Sequence, residues 1–83
     1  MKLSEWNRML EEGRRVADQL TSQGIPTKSY PYTMFDQHKG LKLSVMDDNG
    51  DFFYTTCSGM VNSFVEMQGA LARCAFEIKK NVT

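Results

Sequence analysis

Apolar and polar residues alternate along two short runs in the middle of the chain, 41–45 and 53–57. The residues between them, 47–51, read Asp-Asp-Asn-Gly-Asp, and an Asn-Gly pair between alternating runs is typical of a β-hairpin. We predict a three-residue loop, 48–50, that ends in a left-handed Gly50. This register gathers an apolar-rich set on one face: Leu41, Leu43, Val45, Phe53, Thr55 and Cys57. The opposite face would carry Lys42, Ser44, Met46, Phe52, Tyr54 and Thr56.

The segment before the hairpin has the periodicity of an amphipathic helix. Its apolar stripe has spacings of three and four residues and comprises Leu3, Trp6, Leu10, Gly13, Ala17 and Leu20. We predict a helix over 5–23 that begins after Ser4 and ends at Gly24, where Ile25 folds back onto Leu20. Because Gly13 lies inside the stripe, we expect a second helix to cross closely there.

The segment after the hairpin is the most regular part of the chain. Spacings of four and three residues relate Met60, Phe64, Met67, Leu71, Cys74 and Ile78. We predict a helix over 59–80 with Ser58 as its N-cap. The alternative start at Ser63, where Glu66 would complete a capping box, leaves Met60 outside the stripe. A second apolar stripe indicates a surface for self-association as a homodimer, formed by Val65, Gly69, Ala72 and Phe76.

A further strand precedes the hairpin. Residues 27–35 are rich in Tyr and Thr, and Pro31, which has no amide hydrogen, restricts this strand to a sheet edge. Residues 36–40 are the loop into the hairpin. The order α-β-β-β-α predicts one α+β domain over 1–83, a three-stranded antiparallel sheet with two helices packed on one face. The expected core comprises Trp6, Leu10, Leu20, Leu43, Val45, Phe53, Phe64, Leu71 and Ile78.

Composition restricts the classes of partner. Among the 83 residues, ten Lys and Arg balance ten Asp and Glu, so no excess charge attracts a phosphate backbone or an anionic membrane. No stretch approaches the roughly 18 apolar residues of a membrane span, and we expect a cytoplasmic protein without membrane contact. Cys57 and Cys74 both lie in apolar patterns, and we expect two buried free thiols.

No set of residues indicates catalysis. The oxygen-bearing side chains at 47, 49 and 51 resemble the opening of a calcium loop, but its sixth and twelfth positions, which require Gly and Glu, hold Phe52 and Ser58. His38 is the only histidine, and no Cys-x-x-Cys ligand spacing accompanies it. We therefore expect no metal, no cofactor and no enzymatic activity.

The α-β-β-β-α order of the whole chain resembles the double-stranded-RNA-binding domain. That family contacts RNA with a His-containing loop and a Lys-rich N-terminus of its last helix. Here residues 37–40, Gln-His-Lys-Gly, correspond to the loop, whereas 58–63 contain no basic residue. In this alternative, the nucleic-acid contacts would come from Lys28, His38, Lys39 and Lys42. The order is also similar to that of some small phage-encoded inhibitors of bacterial defence, including certain anti-CRISPR proteins.

The pattern favours binding to a protein. Two helices on one side of the sheet cannot cover all its aromatic and Met residues, and both types are enriched at protein contacts. We expect a non-enzymatic module, a small inhibitor or accessory subunit that occupies a surface of a larger complex. Its expected contact patch joins one hairpin face to the acidic turn: Met46, Asp47, Asp48, Asp51, Phe52 and Tyr54.

Overall fold

The computed structural model describes residues 2–34 and 38–83, with the side chains of Met34 and His38 outside the description. Five elements follow one another: α1 (Leu3–Ser22), β1 (Thr27–Met34), β2 (His38–Met46), β3 (Phe52–Cys57) and α2 (Phe64–Val82). The strands form one antiparallel sheet in the order β1-β2-β3. The predicted α+β fold with the order α-β-β-β-α is confirmed.

β1 lies at one edge of the sheet, as Pro31 predicted. The N–H of Met46 donates to the carbonyl of Pro26 at 2.9 Å, and hydrogen-bonded positions alternate along an antiparallel pair. The nitrogen of Pro31 therefore points to the outer edge, where no donor is required. The loop predicted over 36–40 is wrong at its end, because 38–40 belong to β2. Residues 35–37 lie outside the described residues.

The hairpin turn has the predicted three-residue loop. The N–H of Asp47 donates to the carbonyl of Asp51 at 2.8 Å, and that of Gly50 donates to the carbonyl of Asp47 at 3.1 Å. Gly50 has a φ of +83°, in the left-handed region that favours glycine. The loop thus places Met46 opposite Phe52, as expected.

A β-bulge directly after this pair overturns the rest of the predicted register. Met46 lies opposite Phe52, but Val45 lies opposite Tyr54, so Phe53 is an extra residue in β3. Phe53 is 57% exposed and lies outside the core, which contradicts its predicted burial. The side-chain faces of β3 are exchanged beyond the bulge: Tyr54 and Thr56 face the helices, whereas Thr55 and Cys57 face away.

Both helices pack on the sheet face that carries Leu41, Leu43 and Val45. Two of the predicted core residues, Leu10 and Phe64, are only partly buried and pack against the core from outside. The core itself contains Trp6, Met9, Val16, Ala17, Leu20, Ile25, Leu41, Leu43, Val45, Val61, Met67, Leu71, Cys74 and Ile78.

The start of α1 differs from the prediction. The N-cap is Lys2, without a side-chain hydrogen bond, so the prediction of Ser4 as the cap is wrong. The buried stripe is also rotated: Met9 and Val16 are buried, and Leu3 is 72% exposed.

The end of α1 is a Schellman motif, as predicted. The N–H of Ile25 donates to the carbonyl of Leu20, and the N–H of Gly24 donates to the carbonyl of Thr21, each at 3.0 Å. Ile25 is buried, so the motif also anchors the chain to the core before β1.

Gly13 marks a close approach, but the element that approaches is the sheet. A Cβ atom at this position would lie 2.5 Å from the Oγ of Ser29 and 2.8 Å from the Cδ1 of Leu41. The expected crossing by a second helix is therefore wrong. Glycine lets α1 lie directly on β1 and β2.

α2 begins at Phe64, so the alternative start is correct and the predicted start at residue 59 is wrong. Ser63 is the N-cap, and its Oγ accepts from the N–H of Glu66 at 3.2 Å. Ser58 instead supports the sheet: its Oγ accepts from the N–H of Leu41 at 3.0 Å. Met60, outside the helix, is half exposed.

Two further expectations concern the burial of the two cysteines and the absence of a membrane span. Cys74 is buried and Cys57 is exposed, so the expected burial of both thiols is wrong for Cys57. Within the described residues, neither helix has the length and apolar character needed to span a membrane.

Candidate functional site

Among the described residues, no helix covers the sheet surface opposite α1 and α2. We call this surface the open face. The strand register assigns to it, besides the residues at the bulge, Lys28, Tyr30, Tyr32, Gly40, Lys42, Ser44, Met46, Thr55 and Cys57.

Two aromatic rings meet across the centre of the open face. The ring of Tyr30, on one edge strand, contacts the ring of Phe52, on the other, with centroids 5.4 Å apart and planes at 82°. Between their register partners on the central strand lies Ser44, which is buried and shares a 2.9 Å hydrogen bond with Thr55. The rings thus cover a small polar pair and form a fixed apolar surface.

Tyr32 lies at the end of the open face that is distant from the acidic turn. Its hydroxyl accepts from the N–H of Gly59 at 3.1 Å. A Cβ on Gly40 would lie 2.7 Å from the Cζ of Tyr32, so glycine is what allows the ring to lie across β2. The Nζ of Lys42 lies 5.4 Å from the centroid of the same ring, within the range of a cation–π contact.

The bulge adds two exposed phenylalanines to this surface. Phe52 is paired with Met46 on the open face, and Phe53 precedes the helix-facing Tyr54, so both rings lie on the side away from the helices. They are 46% and 57% exposed. Consecutive phenylalanines on one side of a strand require such a bulge, since regular alternation would bury one of them.

The acidic turn is next to the phenylalanines. The carboxylate of Asp47 accepts from the N–H groups of Asn49 and Asp51, at 2.9 and 3.0 Å, and so serves the turn. The side chains of Asp48 and Asp51 are exposed. In the ranges 2–34 and 38–83, no three His, Cys, Asp or Glu side chains are grouped as a metal site.

The structure brings together most of the predicted contact patch. Met46 and Phe52 lie on the open face beside the acidic turn. Tyr54 does not: it faces the helices, and its hydroxyl accepts from the side-chain N–H of Asn81 at 2.9 Å. Sequence reasoning missed Phe53, which the predicted register buried.

The predicted nucleic-acid residues are divided between the two sides of the sheet. Lys28 and Lys42 lie on the open face, whereas Lys39 lies on the helix side with its Nζ 5.0 Å from the Trp6 centroid. The side chain of His38 lies outside the description. The three lysines therefore do not lie on one side of the sheet.

The N-terminus of α2, which binds phosphate in the RNA-binding family that the topology resembles, is occupied by carboxylates here. The Oε2 of Glu5 accepts from the N–H of Phe64 at 3.2 Å, and the Oε2 of Glu66 accepts from the N–H of Asn62 at 3.0 Å. Two negative charges at this position repel a phosphate group.

The side chains with shifted pKa values, Glu12, Arg15 and Cys74, lie on the helix side of the sheet. Hydrogen bonds from Arg15 to both carboxylate oxygens of Glu12, each at 2.8 Å, lower the pKa of Glu12 and raise that of Arg15. Burial raises the pKa of the Cys74 thiol. None of these groups lies on the open face.

Comparison of the whole chain with protein-family models, with curated proteins and with solved structures found no match. The functional argument therefore depends on the surface itself.

Proposed function

We propose that this protein is a non-enzymatic protein-binding module that docks through the open face onto a larger protein or complex. It would act as an inhibitor or an accessory subunit. Inhibition of a bacterial defence complex, as by the phage-encoded inhibitors of similar topology, is one such role. The observation that carries the proposal is the pair of exposed phenylalanines, Phe52 and Phe53, beside Met46 and Tyr30.

The apolar content of this surface supports a protein partner. Burying a phenylalanine side chain in an interface contributes roughly 1.5–3 kcal/mol, and the bulge exposes two of them side by side. Tyr30 is already ordered by its contact with Phe52, so its ring loses little side-chain entropy on binding. Rigid aromatic residues with an adaptable Met are the composition of an interface centre.

The charges around the aromatic residues define the complementary surface. Lys28 and Lys42 lie on the face itself, whereas Asp48 and Asp51 lie beyond one end of it. The matching partner has an apolar pocket, carboxylates against the lysines and a basic group near the acidic turn. Such a mixed pattern of charges fixes the orientation of docking although the net charge of this chain is zero.

The same observations disfavour nucleic acid. Base stacking requires free aromatic faces, but Tyr30 and Phe52 contact each other edge to face and Lys42 lies over the ring of Tyr32, so Phe53 is the ring most open to a base. Of the three predicted lysines, Lys28 and Lys42 lie on the open face and Lys39 lies on the helix side, and the net charge of the chain is zero.

The test is a pull-down from host lysate with and without nuclease treatment, followed by identification of the partner and measurement of its affinity. The double variant Phe52→Ala, Phe53→Ala should weaken binding about 100-fold, since each ring contributes roughly 1.5 kcal/mol. Leu3→Ala is the matched control, because this apolar side chain is exposed on α1, away from the open face. It should leave the affinity unchanged.

Two results would replace the proposal. If RNA or DNA is recovered, and is lost at high salt and with Lys28→Ala plus Lys42→Ala, the chain is a nucleic-acid binder. If a partner protein is retained equally by the double phenylalanine variant, docking uses another surface.

A further inference from the structure

α2 carries a second apolar surface, separate from the open face. The residues that it buries are Met67, Leu71, Cys74 and Ile78. At 100° per residue, a stripe on the opposite side of the helix comprises Val65, Gly69, Ala72 and Phe76, which we call the outer stripe. Val65 is 74% exposed and Phe76 is 67% exposed. Two large apolar side chains of α2 are therefore in water, in addition to those that pack in the core.

Gly69 is the unexplained residue of the outer stripe. A Cβ atom there would have no neighbour within 4 Å, so nothing in the described chain requires glycine at this position. Glycine inside a helix costs about 1 kcal/mol relative to alanine. A second helix that approaches the backbone of Gly69 closely would account for it.

The charges along α2 indicate the orientation of such a helix. The first turn carries the acidic Glu66, and the last turn carries the basic Lys79 and Lys80. Parallel copies would place like charges side by side, whereas antiparallel copies bring each acidic end to a basic end and also align the helix dipoles favourably.

We propose that the outer stripe binds the same stripe of a second copy of this chain, with the two α2 helices antiparallel about a two-fold axis. The axis passes between Gly69 and Ala72. Val65 of one copy then packs on Phe76 of the other, and Gly69 packs on Ala72, in alternating large and small layers.

The flanking charges complement one another in this register. Beside the stripe, on its β3 side, Glu66, Arg73 and Lys80 follow one another at intervals of seven residues. Glu66 of one copy therefore lies between Arg73 and Lys80 of the other, and the two-fold axis generates this arrangement twice.

Pairing through α2 leaves the open face free, because the two surfaces lie on opposite sides of the sheet. The dimer would present two copies of the open face. Its avidity for a partner with repeated subunits then exceeds the affinity of one copy. This inference does not depend on what the open face binds.

The test is sedimentation equilibrium of the full chain over a wide concentration range. Wild type should show a monomer–dimer equilibrium, and Phe76→Glu should be monomeric throughout, because it places a carboxylate in the apolar layer against Val65. Leu3→Glu, an exposed apolar position on α1, should dimerise as wild type does. Circular dichroism of each variant confirms that it is folded.

Charge exchange tests the orientation. Lys80→Glu should weaken dimerisation about three-fold by opposing Glu66 of the second copy. Adding Glu66→Lys to it should restore part of the loss, because the introduced lysine attracts the introduced glutamate of the second copy but also repels its Arg73. A Lys80→Glu variant that dimerises as tightly as wild type would overturn the antiparallel register.

Other results would overturn the dimer itself. These are a strictly monomeric wild type, or a dimer that persists in Phe76→Glu and is lost in the double variant Phe52→Ala, Phe53→Ala. Loss of a lysate protein in Phe76→Glu, with a monomeric wild type, would assign the stripe to that protein.

Discussion

The rings of Tyr30 and Phe52 contact each other edge to face across the central strand, at a centroid separation of 5.4 Å. The contact joins the two edge strands over a buried Ser44 on the open face. An aromatic pair contributes about 0.5–1.5 kcal/mol beyond its buried area, so it stabilises the sheet as well as shaping the surface.

The bulge predicts that two neighbouring aromatic residues contribute unequally to the free energy of unfolding. Phe53→Ala should change the free energy of unfolding by less than about 0.5 kcal/mol, because the ring is mostly in water. Tyr54→Ala should lower it by about 2 kcal/mol, since the ring packs against the core and its hydroxyl accepts from Asn81. Urea unfolding of both variants measures the difference. Equal losses would contradict the bulged register.

Substitution by alanine should change the free energy of unfolding in opposite directions at the two helical glycines, Gly13 and Gly69. Gly13→Ala should lower the free energy of unfolding by about 1–2 kcal/mol, because its Cβ meets Ser29 and Leu41. Gly69→Ala should raise that of the monomer by about 1 kcal/mol through helix propensity, since its Cβ meets nothing. Thermal or urea unfolding at low protein concentration tests both. Stabilisation by Gly13→Ala would show that α1 does not lie closely on the sheet.

The side chain of Ser58 should stabilise the sheet and have no effect on the start of α2, whose N-cap is Ser63. Ser58→Ala leaves the N–H of Leu41 without its acceptor in a buried position, at a cost of about 2 kcal/mol. Ser22→Ala is the control, because that exposed hydroxyl only donates to the carbonyl of Gln19. Hydrogen exchange of the Leu41 amide should accelerate in the first variant alone. An unchanged amide would show that the Ser58 contact is dispensable.

The two thiols should differ in reactivity and in their effect on pH stability. In the folded protein a thiol reagent should modify Cys57 and spare Cys74, whose pKa is raised by burial. Because the unfolded chain then loses the Cys74 proton first as pH rises, Cys74 lowers the free energy of unfolding above about pH 8.5 and leaves it unaffected below. Comparison with Cys74→Ala across this range isolates the effect. Rapid modification of Cys74 in folded protein would show that it is accessible.

The amino-acid sequence by itself determined the elements and their order, because local chemistry specifies them. The Asn-Gly turn with Gly50, the Schellman end of α1 at Gly24 and the edge position of Pro31 each follow from backbone preferences of single residues. The periodicity of α2 likewise identified its buried face, although the N-cap Ser63 outweighed the apolar Met60 in setting its start.

Only the tertiary structure decided which side of β3 is buried. A bulge inserts one residue without any change in the apolar pattern, and the Phe52-Phe53 pair fits either register. The choice depends on contacts distant in sequence, such as that of Tyr54 with Asn81 on α2. The contribution of Phe53 to the open face therefore could not be derived from the sequence alone, because the same bulge that turns Tyr54 to the core places Phe53 in solvent.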